Sequence, residues 1–136
     1  MATSFSAIVN RAKFAFYGAS ASVKHRTRVR HGGAEFLMCT TTAEETHRAR
    51  NFSVREPETV AWIDKFTGDN FVFFDVGANV GVYSLYCKAR HAEARVYSFE
   101  PEAQSYAALC RNMEMNHYRD ATAFQIAVAR ESGLGT

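Results

Sequence analysis

Phe71-Val-Phe-Phe-Asp-Val-Gly-Ala-Asn-Val-Gly-Val-Tyr-Ser84 decides how this chain of 136 residues reads. It opens on an apolar run, Phe71 to Phe74, of the kind expected for a strand buried on both faces. Asp75 stands at the strand's carboxyl end, and Gly77, Asn79 and Gly81 follow as a tight turn. The apolar spacing then becomes helical, with Val82, Leu85, Tyr86 and Ala89 on one face. Strand, glycine turn and helix together predict free backbone N–H groups aimed at a ligand. Glycine suits such a turn because it takes positive φ and lets a ligand approach the backbone.

A second strand, Arg95-Val-Tyr-Ser-Phe99, ends in Glu100-Pro101. The helix between makes the two strands parallel neighbours in a βαβ unit. In a dinucleotide-type fold, an acid at the tip of the second strand accepts hydrogen bonds from the two ribose hydroxyls of an adenosine. Glu100 is the candidate, since an ionised carboxylate only accepts and has two oxygens. The dinucleotide fingerprint is G-x-G-x-x-G, whereas here the order is Asp75-x-Gly77-x-Asn79-x-Gly81. Asp75 would repel a pyrophosphate, which argues against a nicotinamide or flavin dinucleotide. A cofactor with a cationic amino-acid end suits Asp75 instead. S-adenosylmethionine has that end, an adenosine and no phosphate.

Three segments carry a family resemblance: Phe74-Asp-Val-Gly-Ala-Asn-Val-Gly-Val-Tyr-Ser84, Tyr97-Ser-Phe-Glu-Pro101 and Arg111-Asn-Met-Glu-Met-Asn116. With Phe52-Ser-Val-Arg-Glu-Pro57 and Trp62-Ile-Asp64 before them, they resemble the FkbM-type class I methyltransferases from about Arg28 onward. The resemblance implies a seven-stranded sheet, S-adenosylmethionine as cofactor and methylation of a hydroxyl on a sugar, lipid or natural product. It also implies that Asp75, Gly77, Ala78, Asn79 and Gly81 surround the methionine part and that Glu100 holds the ribose. Glu56 would start a helix near the cofactor's amino group, although capping explains that residue without it, and the adenine would lie near Ala127-Val128. A lead-in over the cofactor would let His47 or Arg50 touch substrate, with solvent exposure the plainer expectation.

Composition sets the remaining bounds. The 47% hydrophobic fraction is that of a globular chain, and no apolar run approaches the roughly 20 residues that span a bilayer. A formal charge of +2 is too small to suggest nucleic acid. Yet Arg11, Lys13, Lys24, Arg26, Arg28 and Arg30 all precede the first acid, Glu35. A solvated basic segment is the expected reading, ahead of a transit peptide or an anionic-surface anchor. Cys39, Cys87 and Cys110 fit neither a disulfide framework nor a zinc site, and imply reduced thiols, two of them core-facing, in a cytoplasmic protein. The five histidines lack ligand spacing, so no metal is expected.

Taken in order, residues 1–25 read as a basic amphipathic helix, Ser4 to Tyr17, and a linker. Residues 26–69 read as a hairpin turning at His31-Gly-Gly33, a loop or weak helix over Ala43 to Ala49, and a helix running to about Phe66. That helix is predicted to be N-capped by Ser53, with Glu56 completing a capping box and Trp62 packing on the sheet; Trp62 stacking on a ligand is the lesser alternative. Residues 70–136 read as the first half, strands 1–3, of a Rossmann-like, doubly wound α/β sheet. Its second helix spans Glu102 to Asn116, with Ala103, Tyr106, Ala107, Cys110 and Met113 inward and a left-handed Asn116 at the end. The third strand is Ala121 to Ile126. A fourth strand would lie against Phe71 to Phe74, and without it that edge invites aggregation or a partner chain. A general base is expected beyond Thr136, so no catalytic residue is named. Two alternatives stand beside a methyltransferase: an NAD-dependent oxidoreductase, and a non-catalytic half-domain that needs a partner chain.

Overall fold

The computed structural model describes residues 25–67 and 70–130. The predicted helix Ser4 to Tyr17, its linker and the turn at Glu131-Ser-Gly133 lie outside the described residues.

The hairpin joins β1 (Arg26–His31) to β2 (Ala34–Cys39), with His31 opposite Ala34. Its two-residue turn holds Gly32 at φ 55° and Gly33 at φ 82°, the positive pair that a tight hairpin needs. A Cβ on Gly32 would also meet the Tyr86 hydroxyl at 2.9 Å.

The next segment corrects the sequence reading. One helix, α1 (Ala43–Arg55), takes the helical alternative expected for Ala43 to Ala49 and runs further, and the capping box belongs to Thr42 and Glu45 rather than Ser53 and Glu56. Thr42 Oγ1 accepts from Glu45 N–H at 3.1 Å, while Glu45 Oε2 accepts from Thr42 N–H at 2.9 Å. Phe52 is the reason the helix runs on. It is buried against Phe36, Tyr83 and Tyr86, one turn from buried Ala49. Ser53 therefore lies in the last turn, and α2 (Pro57–Asp64) begins at the proline with no side-chain cap. Trp62 rests on Phe66 and on Phe73, yet is 51% exposed.

Three parallel strands follow: β3 (Val72–Val76), β4 (Arg95–Phe99) and β5 (Thr122–Phe124), in the order β3-β4-β5. The last is shorter than expected. Helix α3 (Val82–Arg90) joins the first two strands and α4 (Ala103–Met115) the next two. Phe73, Val96, Ser98 and Ala123 share the covered face of the sheet. The opposite face departs from the expectation of a strand buried on both sides. Val72, Phe74 and Val76 are 37%, 61% and 59% exposed, and Phe74, Tyr97, Phe99 and Phe124 form a ladder of near-parallel rings. Among the described residues both helices pack on the other face, so the apolar run is covered once rather than twice.

The buried stripe of α4 is also rotated from the expected one. Ala108, Leu109, Asn112 and Met113 are buried, while Ala103 is exposed and Tyr106, Ala107 and Cys110 are half-buried. Two asparagines turn the helix towards the hairpin. Asn112 accepts from Cys39 N–H at 2.8 Å and donates to Val80 O at 2.8 Å. Asn116 accepts from Leu37 N–H and donates to Leu37 O, both at 2.7 Å. Held this way, Asn116 has φ −93°, and His117, at φ 58°, is the left-handed residue that ends the helix.

Candidate functional site

The site lies at the carboxyl ends of β3 and β4, where the Gly77 to Gly81 loop passes beside Glu100. The loop's curvature comes from Gly77 at φ 76°, Asn79 at φ 49° and Gly81 at φ 85°. Gly77 has nothing within 4 Å of where a Cβ would stand, so that side of the loop is open. At Gly81 a Cβ would come within 2.3 Å of Leu109 Cδ1. That glycine lets α3 and α4 close on each other. The side chain of Ala78 belongs to the core, leaving only its backbone to border a ligand.

The loop's N–H groups are not free, contrary to the expectation from the glycine pattern. Gly77 and Ala78 donate to Phe99 O at 2.9 and 3.0 Å, and Asn79 donates to Glu100 Oε2 at 2.8 Å. Val80 donates to Asn79 Oδ1 and Gly81 to Ala78 O, each at 2.8 Å. All five donors are spent inside the protein. A phosphate cradle needs such donors pointing outward, which this loop does not offer.

Glu100 is 6% exposed and binds its own loop. Oε2 takes Asn79 N–H, and Oε1 takes Glu102 N–H at 2.8 Å. Each carboxylate oxygen has two acceptor directions, so one remains on each. Asp75 lies on the covered face opposite Ser98 in the strand register. Its Oδ2 accepts from Ser84 N–H at 3.1 Å and Ser84 Oγ at 2.6 Å. Burial pushes the Asp75 carboxyl above its ordinary range, the Ser84 bonds oppose that, and the charges of Glu56 and Glu100 add to it.

Glu56, at the bend between α1 and α2, is near enough for its charge to act on Asp75, with Thr59 donating to its Oε2 at 3.3 Å. Tyr83 lies beside Glu56. Its hydroxyl donates to Phe52 O at 3.2 Å and is pushed up to about 12 by burial and by Glu56, against the charges of Arg55 and Arg48. The charges of Glu56 and Glu100 both act on Asp75, and among the described residues no cation pairs directly with any of the three, which favours a cationic ligand. His47 and Arg50 are exposed on α1.

Ser84, Ser98 and Asn112 went unread in the sequence. All three sit inside segments that carry the family resemblance, and polar residues at core-facing positions were the available signal.

This chain is similar to known methyltransferases. "Methyltransferase 1" of Beauveria bassiana (strain ARSEF 2860) is 32% identical over 66 residues, 48% of this chain and 26% of that protein. "Methyltransferase sdnD" of Sordaria araneosa is 43% identical over 42 residues, covering 31% and 16%. The "31-O-demethyl-FK506 methyltransferase FkbM" of Streptomyces tacrolimicus is 38% identical over 63 residues, covering 46% and 24%. The matched stretches span about a quarter, or less, of these relatives. Two solved structures share the architecture: P. horikoshii TYW2 in complex with MeSAdo, and the SAM-dependent methyltransferase from Agrobacterium tumefaciens. Their TM-scores are 0.53 and 0.52, at 16% and 14% identity, over 75% and 78% of this chain and 36% and 34% of theirs. The fold is the Rossmann-like fold of methyltransferases. No protein-family model matches the chain. The resemblance to FkbM-type enzymes, drawn from the motifs, is borne out by the third relative. No helix among the described residues is long and apolar enough to cross a membrane.

Proposed function

We propose that this chain carries the cofactor-binding part of an S-adenosylmethionine-dependent methyltransferase whose acceptor is a hydroxyl on a small molecule, sugar or lipid. One observation supports it above the rest. The loop after β3 spends its five N–H groups internally while the charges of Glu56 and Glu100 both act on Asp75. That arrangement repels a pyrophosphate and attracts an ammonium and a sulfonium. It also disfavours an NAD-dependent oxidoreductase.

In this reading Asp75 and Glu56 hold the cationic amino-acid end, and the open side of Gly77 admits it closely. Glu100 uses its remaining acceptor directions for ribose hydroxyls. S-adenosylmethionine supplies an electrophilic methyl group on sulfur, for in-line displacement by the acceptor oxygen. Asp75, Glu56 and Glu100 bind and orient; the base that takes the acceptor's proton is not among them.

Calorimetric titration tests the reading. S-adenosylhomocysteine should bind and NAD should not. NAD binding of equal or greater strength would overturn it.

A further inference from the structure

Ser98 has no exposed surface and lies on β4 opposite Asp75. Its Oγ is 2.6 Å from Ser84 Oγ, which is itself 2.6 Å from Asp75 Oδ2. An ionised carboxylate can only accept, so the one hydroxyl proton of Ser84 points to Asp75. Ser98 must then donate to Ser84. The chain of bonds runs one way, from Ser98 through Ser84 to Asp75 Oδ2, and the Ser84 N–H adds a second bond to the same oxygen. Asp75 Oδ1 has no hydrogen-bond partner among the described residues. Every fully buried side-chain oxygen there does have one, so Oδ1 keeps some exposed surface.

We propose that Ser98 is a positioning residue for cofactor binding: by committing the Ser84 proton to Asp75 Oδ2, it holds the carboxylate ionised with Oδ1 turned towards the ligand. This rests on the reading of Asp75 as the group that takes the cofactor's cationic end. The relay favours the ionised form because hydroxyl donation to Oδ2 is stronger when the carboxylate is charged, and donors in series strengthen one another.

It works against its neighbours. Burial first, then Glu56 from the α1–α2 bend and Glu100 from the end of β4, push Asp75 towards protonation. Cys87, one turn along α3, is held as a neutral thiol by burial, which pushes it up to about 12. Lys88 is turned away to Asp120 at 2.6 Å.

Two readouts on the full chain test the inference. Carbon-13 NMR of the Asp75 carboxyl in the ligand-free protein gives its titration midpoint. Calorimetry against pH gives the affinity for S-adenosylhomocysteine. Ser98→Ala should raise the Asp75 midpoint by about half a pH unit, a threefold change in its proton affinity. The pH at which cofactor affinity halves should rise by the same amount. Ser98→Cys keeps the shape with a weaker donor and should fall between, and it carries the comparison if the alanine variant does not fold. An unmoved midpoint in the Ser98 variants, with binding lost in Asp75→Ala, overturns this inference and leaves the cofactor reading intact. Unchanged binding in Asp75→Ala overturns the assignment of Asp75, and this inference with it.

Discussion

Gly81→Ala adds one methyl group, and the structure says where it goes: to within 2.3 Å of Leu109 Cδ1, at a residue with φ 85°. Two costs follow. A left-handed conformation costs an L-residue about 1–2 kcal/mol, and overpacking a filled core costs about 1–3 kcal/mol. Together they predict a loss of about 2–5 kcal/mol. Gly77→Ala isolates the first cost. Gly77 has φ 76° but no atom within 4 Å of its Cβ position, so its loss should be about 1–2 kcal/mol. Leu109→Ala isolates the contact. Leu109 is fully buried, and its truncation should cost about 2–5 kcal/mol through lost burial and a cavity. In the double variant the new methyl occupies space that Leu109 has left. The overpacking cost disappears and the cavity is partly filled, so the pair should fall short of the sum by about 1–3 kcal/mol. Urea unfolding with matched m-values reads all four proteins. Additivity within about 0.5 kcal/mol would refute the claim that Gly81 is required by the closure of α3 on α4.

Other consequences are equally open to measurement. Asn112→Ala strips partners from two backbone groups, Cys39 N–H and Val80 O, and should cost about 2–6 kcal/mol in urea unfolding at about 1–3 kcal/mol per unpaired buried group. A loss below that of the half-buried Asn116→Ala would contradict the clamp. Glu45 concerns pH. Burial raises its pKa, but bonds from Thr41 and Thr42 with the charge of Arg111 bring it below 4.5 in the folded chain. A lowered folded value means stability that is present above the unfolded pKa and lost as pH falls through the folded one. Glu45→Gln should therefore flatten the acid limb of stability against pH, and an unchanged limb would count against the assignment. Asp75 has the opposite sign. Its folded pKa is raised, so ionisation at neutral pH works against folding. Asp75→Asn should gain about 0.5–2 kcal/mol of stability, as when strain at a functional site is relieved, while weakening S-adenosylhomocysteine binding. Loss of both together would argue that Asp75 is only structural.

The parts of the fold legible in sequence are those settled by local backbone chemistry. Gly32-Gly33 needs positive φ twice and names a hairpin turn, and the glycines of the loop after β3 mark strand-to-helix passage. The pattern Thr or Ser, two residues, then Glu occurs at both Thr42–Glu45 and Ser53–Glu56. Nothing local chooses between them. Phe52 chooses, because its burial against Phe36 and Tyr86 comes from elements distant in sequence. The same holds for the loop's N–H groups. Their acceptors include Phe99 O and Glu100 Oε2, more than 20 residues on, so a motif that reads as an open cradle closes on itself. The apolar run Phe71 to Phe74 reports what a doubly covered strand needs, not which segments cover it.

The most direct measurement is amide chemical-shift mapping of the isotope-labelled protein against S-adenosylhomocysteine, with NAD alongside. The expected shifts concentrate on Gly77 to Gly81, Glu100 and Glu102, with Val72 and Phe74 on the aromatic face silent and NAD giving none. Shifts centred away from this loop, or the same pattern from NAD, would contradict a carboxylate-lined site for a cationic nucleoside.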